Sequence, residues 1–147
     1  MKSLRSYIWR VASWTYVMDK NIALRHAARR GASNAVRVLL EAGADVHGAE
    51  DAALQKASAN GHADTVKVLL AAGANVHALG DEALRRAAGN GHTDAVKVLL
   101  EAGADVHAKE DWAVRWAAKN GHTDTITVLN EWMAREVKKP AEGSETT

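Results

Sequence analysis

Apolar residues along this chain fall in short groups spaced i, i+3 and i+4, the spacing of one face of an α-helix. Leu24, Ala27 and Ala28 form the first group. Leu54, Ala57 and Ser58 form the second, Leu84, Ala87 and Ala88 the third, and Val114, Ala117 and Ala118 the fourth. Between them lies a second series. Val38-Leu39-Leu40 returns as Val68-Leu69-Leu70 and Val98-Leu99-Leu100, and more weakly as Val128-Leu129-Asn130. The stretch from Gly43 to His47 returns at Gly73 to His77 and at Gly103 to His107. Asn60-Gly61-His62 returns at Asn90-Gly91-His92 and Asn120-Gly121-His122. The offset is thirty residues each time, which is the mark of a repeat array. Four units follow: 18–47, 48–77, 78–107 and 108–137.

Each unit predicts two helices. In the second unit, Asp51 is placed to cap a helix over about residues 52–59. Asn60-Gly61 ends it, because Gly supplies the positive φ of a helix stop. A second helix starts near Ala63-Asp64, where an acid in the first turn suits the helix dipole. It stops at Gly73. Such pairs have apolar faces that must be covered by neighbours, so the predicted fold class is all-α, a solenoid of stacked helix pairs.

This pattern resembles the ankyrin repeat. The run from Gly91-His92 through Val98-Leu99-Leu100 to Gly103-Ala104-Asp105-Val106 is similar to that family's consensus. The departure is in length. The usual repeat has 33 residues and carries Thr-Pro-Leu-His. Here three residues are missing between Val76-His77 and the next helix, and the corresponding stretch reads Ala52-Ala53-Leu54-Gln55 or Glu82-Ala83-Leu84-Arg85. The resemblance implies an ankyrin-like solenoid in which a tight turn replaces the protruding finger, similar to short-finger repeats of some large-virus and bacterial proteins. It also implies a non-enzymatic module that binds another protein through its concave groove.

Helical geometry assigns the face opposite the core groups to that groove. It carries Ile22, His26, Arg29 and Arg30; Ala52, Lys56, Ala59 and Asn60; Glu82, Arg86, Gly89 and Asn90; and Trp112, Trp116, Lys119 and Asn120. Arg29, Arg30, Lys56, Arg86 and Lys119 face one acid there, although the chain as a whole is at +1. The outer helices instead alternate charge, as at Asp64 and Lys67 or Asp94, Lys97 and Glu101, which reads as a self-paired, solvated surface. The candidate partner-binding residues are therefore His26, Arg29, Arg30, Lys56, Arg86, Trp112, Trp116 and Lys119. Trp112 and Trp116 stand at i, i+4 where other units carry small or charged residues. They read either as anchors for a partner, since Trp and Arg dominate binding hot spots, or as packing under the C-terminal extension or against each other.

The ends differ from the middle. All seven aromatic residues lie in 7–16 or 112–132. Residues 1–17 predict an N-terminal capping helix, with Ser3 as N-cap and Leu4, Ile8 and Val11 at i, i+4, i+7. Trp9, Trp14, Tyr7 and Tyr16 among cations also fit a helix at a membrane interface. Arg5 and Arg10 interrupt any signal-peptide core. Met133 replaces the helix-stopping Gly in the last unit, so its second helix should run to about Val137 or Lys138. Residues 138–147 read as a disordered tail.

Composition removes most chemistry. There is no Cys, which excludes disulfides and thiolate sites and fits a reducing, cytoplasmic setting. No apolar run is long enough for a transmembrane segment. Seven histidines invite a metal reading, but stacked helices lie about 8–10 Å apart, whereas ligands of one metal sit about 2 Å from it. The Gly-His residues are instead expected to tie turns together. Glu50-Asp51 and Glu110-Asp111 read as caps in turns. No nucleophile elbow or phosphate loop is present, so neither an enzyme nor a cofactor is read. An inhibitor, an immunity partner or an adaptor would all suit the size. Two alternatives stay open. One is nucleic-acid or acidic-surface binding through Arg25, Arg29, Arg30, Lys56, Arg85, Arg86, Arg115 and Lys119, against which stand the near-zero net charge and the lack of a nucleic-acid motif. The other is a scaffold without a dedicated ligand. The oligomeric state is open.

Overall fold

Periodic apolar faces on short Ala- and Leu-rich segments produce helix pairs stacked in a row. The structure, a computed structural model, describes residues 20–139. Its helices are α1 (20–30), α2 (Ser33–Glu41), α3 (Gly48–Ala59), α4 (Ala63–Ala71), α5 (Ala78–Gly89), α6 (Thr93–Glu101), α7 (Ala108–Lys119) and α8 (Thr123–Lys138). No strand occurs among the described residues. The predicted capping helix 1–17 and all of the tail beyond Lys139 lie outside them. Lys138, read from sequence as the start of the tail, is the last residue of α8.

The core is one continuous ladder. Leu24, Leu54 and Leu84 on the first helices, and Leu69, Leu99 and Leu129 on the second, are at most 1% exposed. Burying each such side chain contributes about 1.5–3 kcal/mol. Ala57, Ser58, Ala87 and Ala88 are fully buried, and their small size lets adjacent first helices approach closely. Ala53, Ala83 and Ala113 join the core, a set the i, i+3, i+4 reading missed. Two expected core residues do not bury: Ala118 is exposed and Val114 only half-buried. Both lie on the side where no further pair covers α7. First helices of neighbouring pairs pack more closely than second helices do. The stack therefore curves with α1, α3, α5 and α7 on its inner side.

The shortened connection has an unusual backbone. Ala49, Glu50 and Asp51 have φ of 53°, 57° and 59°, a single left-handed turn, before right-handed helix begins at residue 52. Residues 79–81 and 109–111 repeat it. Left-handed conformation costs about 1–2 kcal/mol per non-Gly residue, so side chains must hold it. Asp51 Oδ1 accepts the backbone N–H of Asn75 at 2.8 Å, and Asp81 Oδ1 that of Asp105 at 2.8 Å. The Gln55 amide donates to the carbonyl of Glu50 at 2.8 Å. This corrects the reading of Asp51 as an N-cap: its carboxylate turns away from its own helix to close the turn at the far end of the unit. His47 Nδ1 lies 3.1 Å from Asp51 Oδ1, and His77 Nδ1 lies 3.0 Å from Asp81 Oδ1, so this histidine series braces the same carboxylates.

The other histidine series ties pairs together. Gly61 has φ of +76°, and the His92 ring lies where its Cβ would be. Only Gly satisfies both demands. His62 covers Gly31 and His122 covers Gly91 in the same way. His62 Nε2 donates to the carbonyl of Arg29 at 2.9 Å, and His122 Nε2 to that of Gly89 at 3.1 Å. Because a carbonyl can only accept, the proton sits on Nε2.

Candidate functional site

The inner helices place the groove residues in a row facing solvent. His26, Arg29 and Arg30 on α1 are exposed, Lys56 on α3 is half-buried, and Arg86 on α5 and Lys119 on α7 are exposed. Trp112 is half-buried, and Trp116 is 38% exposed. The candidates at the α1 and α3 end have no close contact with the rest among the described interactions. Those at the α5 and α7 end form a compact group.

That group is built around two indoles. One turn of α7 separates Trp112 from Trp116, and their rings stack with centroids 4.9 Å apart and planes at 16°. The Arg85 guanidinium lies 5.2 Å from the Trp112 ring centroid, and the Lys119 ammonium 4.4 Å from that of Trp116. Cations over indole faces are attracted by the ring quadrupole, by about 0.5–1 kcal/mol at exposed sites. Glu82 pairs with both Arg85 and Arg86, the latter at 2.6 Å. The result is a flat aromatic surface with two cations over its rings, and a third, Arg86, joined to Arg85 through Glu82.

Gly89 makes this arrangement possible. A Cβ at Gly89 would collide with Cδ1 of Trp116. The corresponding inner-helix residues are Arg29, Ala59 and Lys119, so the backbone does not demand Gly here. Space for the indole does. The two tryptophans thus pack against each other, as one sequence reading had it, with Trp116 against Gly89 and Trp112 under Arg85 of the preceding helix pair. A Gly inside the inner-helix series, with Trp in the following unit, is the sequence signal of this notch.

Arg85 is less free than the sequence implied. Its Nε donates to the Gly80 carbonyl at 3.0 Å and its Nη2 to that of Leu79 at 2.9 Å. It steadies a left-handed turn, as Gln55 does one unit earlier. At the start of α7, His107 Nδ1 lies 2.5 Å from Asp111 and its Nε2 3.5 Å from Glu136 of α8. The hydrogen bond to Asp111 raises the His107 pKa above its ordinary 6.5, against partial desolvation, and the charges of Asp111, Glu136 and Asp105 add to the rise. Among the described residues no group of three or more His, Asp or Glu side chains is placed to hold a metal. Nor is any described helix long and apolar enough to cross a membrane.

A family model described as ankyrin repeats in three copies matches residues 24–110 and again 54–140, so that the matches together span 24–140. No curated protein matches the chain.

Proposed function

The chain belongs to the ankyrin-repeat family, whose members are typically non-enzymatic modules for protein–protein interaction, and from that premise we propose that it binds a protein partner through the inner face of α5 and α7. The observation that carries this reading is the half-exposed Trp112–Trp116 stack with Arg85 and Lys119 over its rings, and Arg86 linked to Arg85 through Glu82. A flat aromatic surface offers contact area at low entropic cost, and the surrounding cations favour an acidic segment carrying an apolar or aromatic side chain. His26, Arg29, Arg30 and Lys56 extend the same sign of charge along the groove and would take a longer acidic segment. An inhibitor or adaptor role in the cytoplasm is the form we favour. Nucleic acid is a poorer fit, because Arg85 spends its donors on two carbonyls and both Arg85 and Arg86 share Glu82.

The test is recovery of a binding protein from the native host with the wild-type chain, Trp116→Ala, Arg86→Glu and an outer-face control, Lys67→Ala. Loss of an interface indole should weaken binding by about 2 kcal/mol or more. Arg86→Glu should weaken it by about 1–3 kcal/mol, and less at high salt. Circular dichroism of each variant must remain helical. A partner that survives both inner-face changes and is lost with Lys67→Ala would remove the proposal.

A further inference from the structure

The first helix pair presents an apolar face that the later pairs cover more fully. Ala35 is exposed, Val38 is 63% exposed, and Ala23, Leu39 and Val46 are half-buried. The counterparts of Ala35, Leu39, Ala23 and Val46 are buried, namely Thr65 and Ala95, Leu69 and Leu99, Ala53 and Ala83, and Val76 and Val106, while those of Val38, namely Val68, Val98 and Val128, are half-buried. Those counterparts look toward the preceding pair. Thr65 Oγ1 meets Ser33 Oγ at 2.8 Å. Val68 lines the groove against α2 with Arg37 and Leu40, and Val128 lines the one against α6 with Lys97 and Glu101. The surface around Val38 is thus shaped to receive an element preceding α1.

The polar groups say what kind of element. Later pairs reach back to their predecessor's inner helix with one or both of two hooks, although Asn60 of the second pair bonds the Lys56 carbonyl of its own helix instead. One is the Gly-His ring, as in His62 to the Arg29 carbonyl. The other is the Asn amide, as in Asn90 to Ala59 and Asn120 to Gly89, both at 2.8 Å. In the first pair these two places are held by Ala32 and Arg30. The apolar surface beside the outer helix is kept, while the hooks for an inner helix and its Gly turn are absent.

We infer that a single helix, and not a pair, covers this face, and that residues 1–19 of the same chain supply it, seating Leu4, Ile8 and Val11 on Ala35, Val38 and Leu39. Length and position fit. A helix over residues 3–11 matches the nine residues of α2, about 13 Å at 1.5 Å per residue. Residues 12–19 are then long enough for the link to α1, since the shorter stretch 42–47 joins α2 to α3. The stripe at i, i+4, i+7 supplies one apolar face. A second copy stacked head to tail fits less well. The last pair leaves Gly121 with nothing over its Cβ position, and Ala32 has no ring to place there.

The chain has no cysteine, so pairs can be introduced freely. Ile8→Cys with Val38→Cys should form an intramolecular disulfide at dilute concentration, whereas Arg5→Cys with Val38→Cys should stay reduced under the same conditions. In hydrogen exchange, amides of residues 5–11 should be protected in the full chain. Val38→Asp should speed their exchange by about tenfold or more while leaving α5 and α6 protected. Unprotected amides in 5–11, or disulfides only between chains, would overturn the inference. Protection that arises only after adding anionic lipid vesicles would overturn it in favour of a membrane-surface segment.

Discussion

Gly89→Ala separates packing of the tryptophan stack from local helix preference, because the two effects have opposite signs. Gly89 closes α5 with an ordinary right-handed backbone, and an added methyl should improve helix propensity by up to about 1 kcal/mol. The same methyl would occupy the place of the Trp116 ring edge. Trp116 must then shift, weakening its stack on Trp112, worth about 0.5–1.5 kcal/mol, and its contact with Lys119, worth about 0.5–1 kcal/mol. Strain from overpacking is of similar size, about 1–3 kcal/mol. Gly89→Ala alone should therefore destabilise by about 1 kcal/mol, or roughly 4 °C in Tm for a unit of this size. In a Trp116→Ala background the clash is absent, and Gly89→Ala should stabilise by up to about 1 kcal/mol. Urea unfolding of the four proteins of this cycle, followed by far-ultraviolet circular dichroism, measures the coupling, expected at about 1–3 kcal/mol. If Gly89→Ala stabilises equally in both backgrounds, Trp116 does not sit in the Gly89 notch. The compact arrangement of the candidate site would then be wrong.

Three further outcomes follow from the same geometry. Ser58 Oγ is buried without a hydrogen-bond partner, where the other units carry Ala28, Ala88 and Ala118; Ser58→Ala should raise stability by about 1 kcal/mol in denaturant titration. Glu50 has φ of 57° where the next unit has Gly80; Glu50→Gly should stabilise by about 0.5–1 kcal/mol once the greater unfolded-state entropy of Gly is offset, and a loss of stability would refute the left-handed turn. His107 should titrate above the ordinary histidine value in an NMR pH series, and Glu136→Gln should bring it down. Because its folded pKa is raised, its contribution to stability is complete below about pH 6.5 and disappears as pH rises through the folded pKa. A His107 midpoint at or below 6.5 would contradict the contact.

The sequence by itself determined the architecture. A thirty-residue period, apolar positions at helical spacing and Gly at each helix stop are local signals, and repetition supplies the same signal several times. Leu24, Leu54 and Leu84 were legible as core for that reason, as were the helix ends at Gly61 and Gly73. The extension of α8 was legible too, because Met133 stands where a Gly would have stopped it. The tertiary structure decided what depends on a neighbour in space. Asp51 looked like a helix cap because nothing in its local sequence reveals a backbone N–H arriving from Asn75, 24 residues later. Ala118 matched Ala88 in pattern but lies exposed, since burial there requires a following pair. Arg85 read as a free cation for the nucleic-acid alternative until the left-handed turn placed the Leu79 and Gly80 carbonyls within its reach. The i, i+4 spacing put Trp112 and Trp116 on one face of a helix. Only packing of α7 on α5 laid Trp116 against Gly89, because close approach between units is set by side-chain volumes on both helices and not by the period of either.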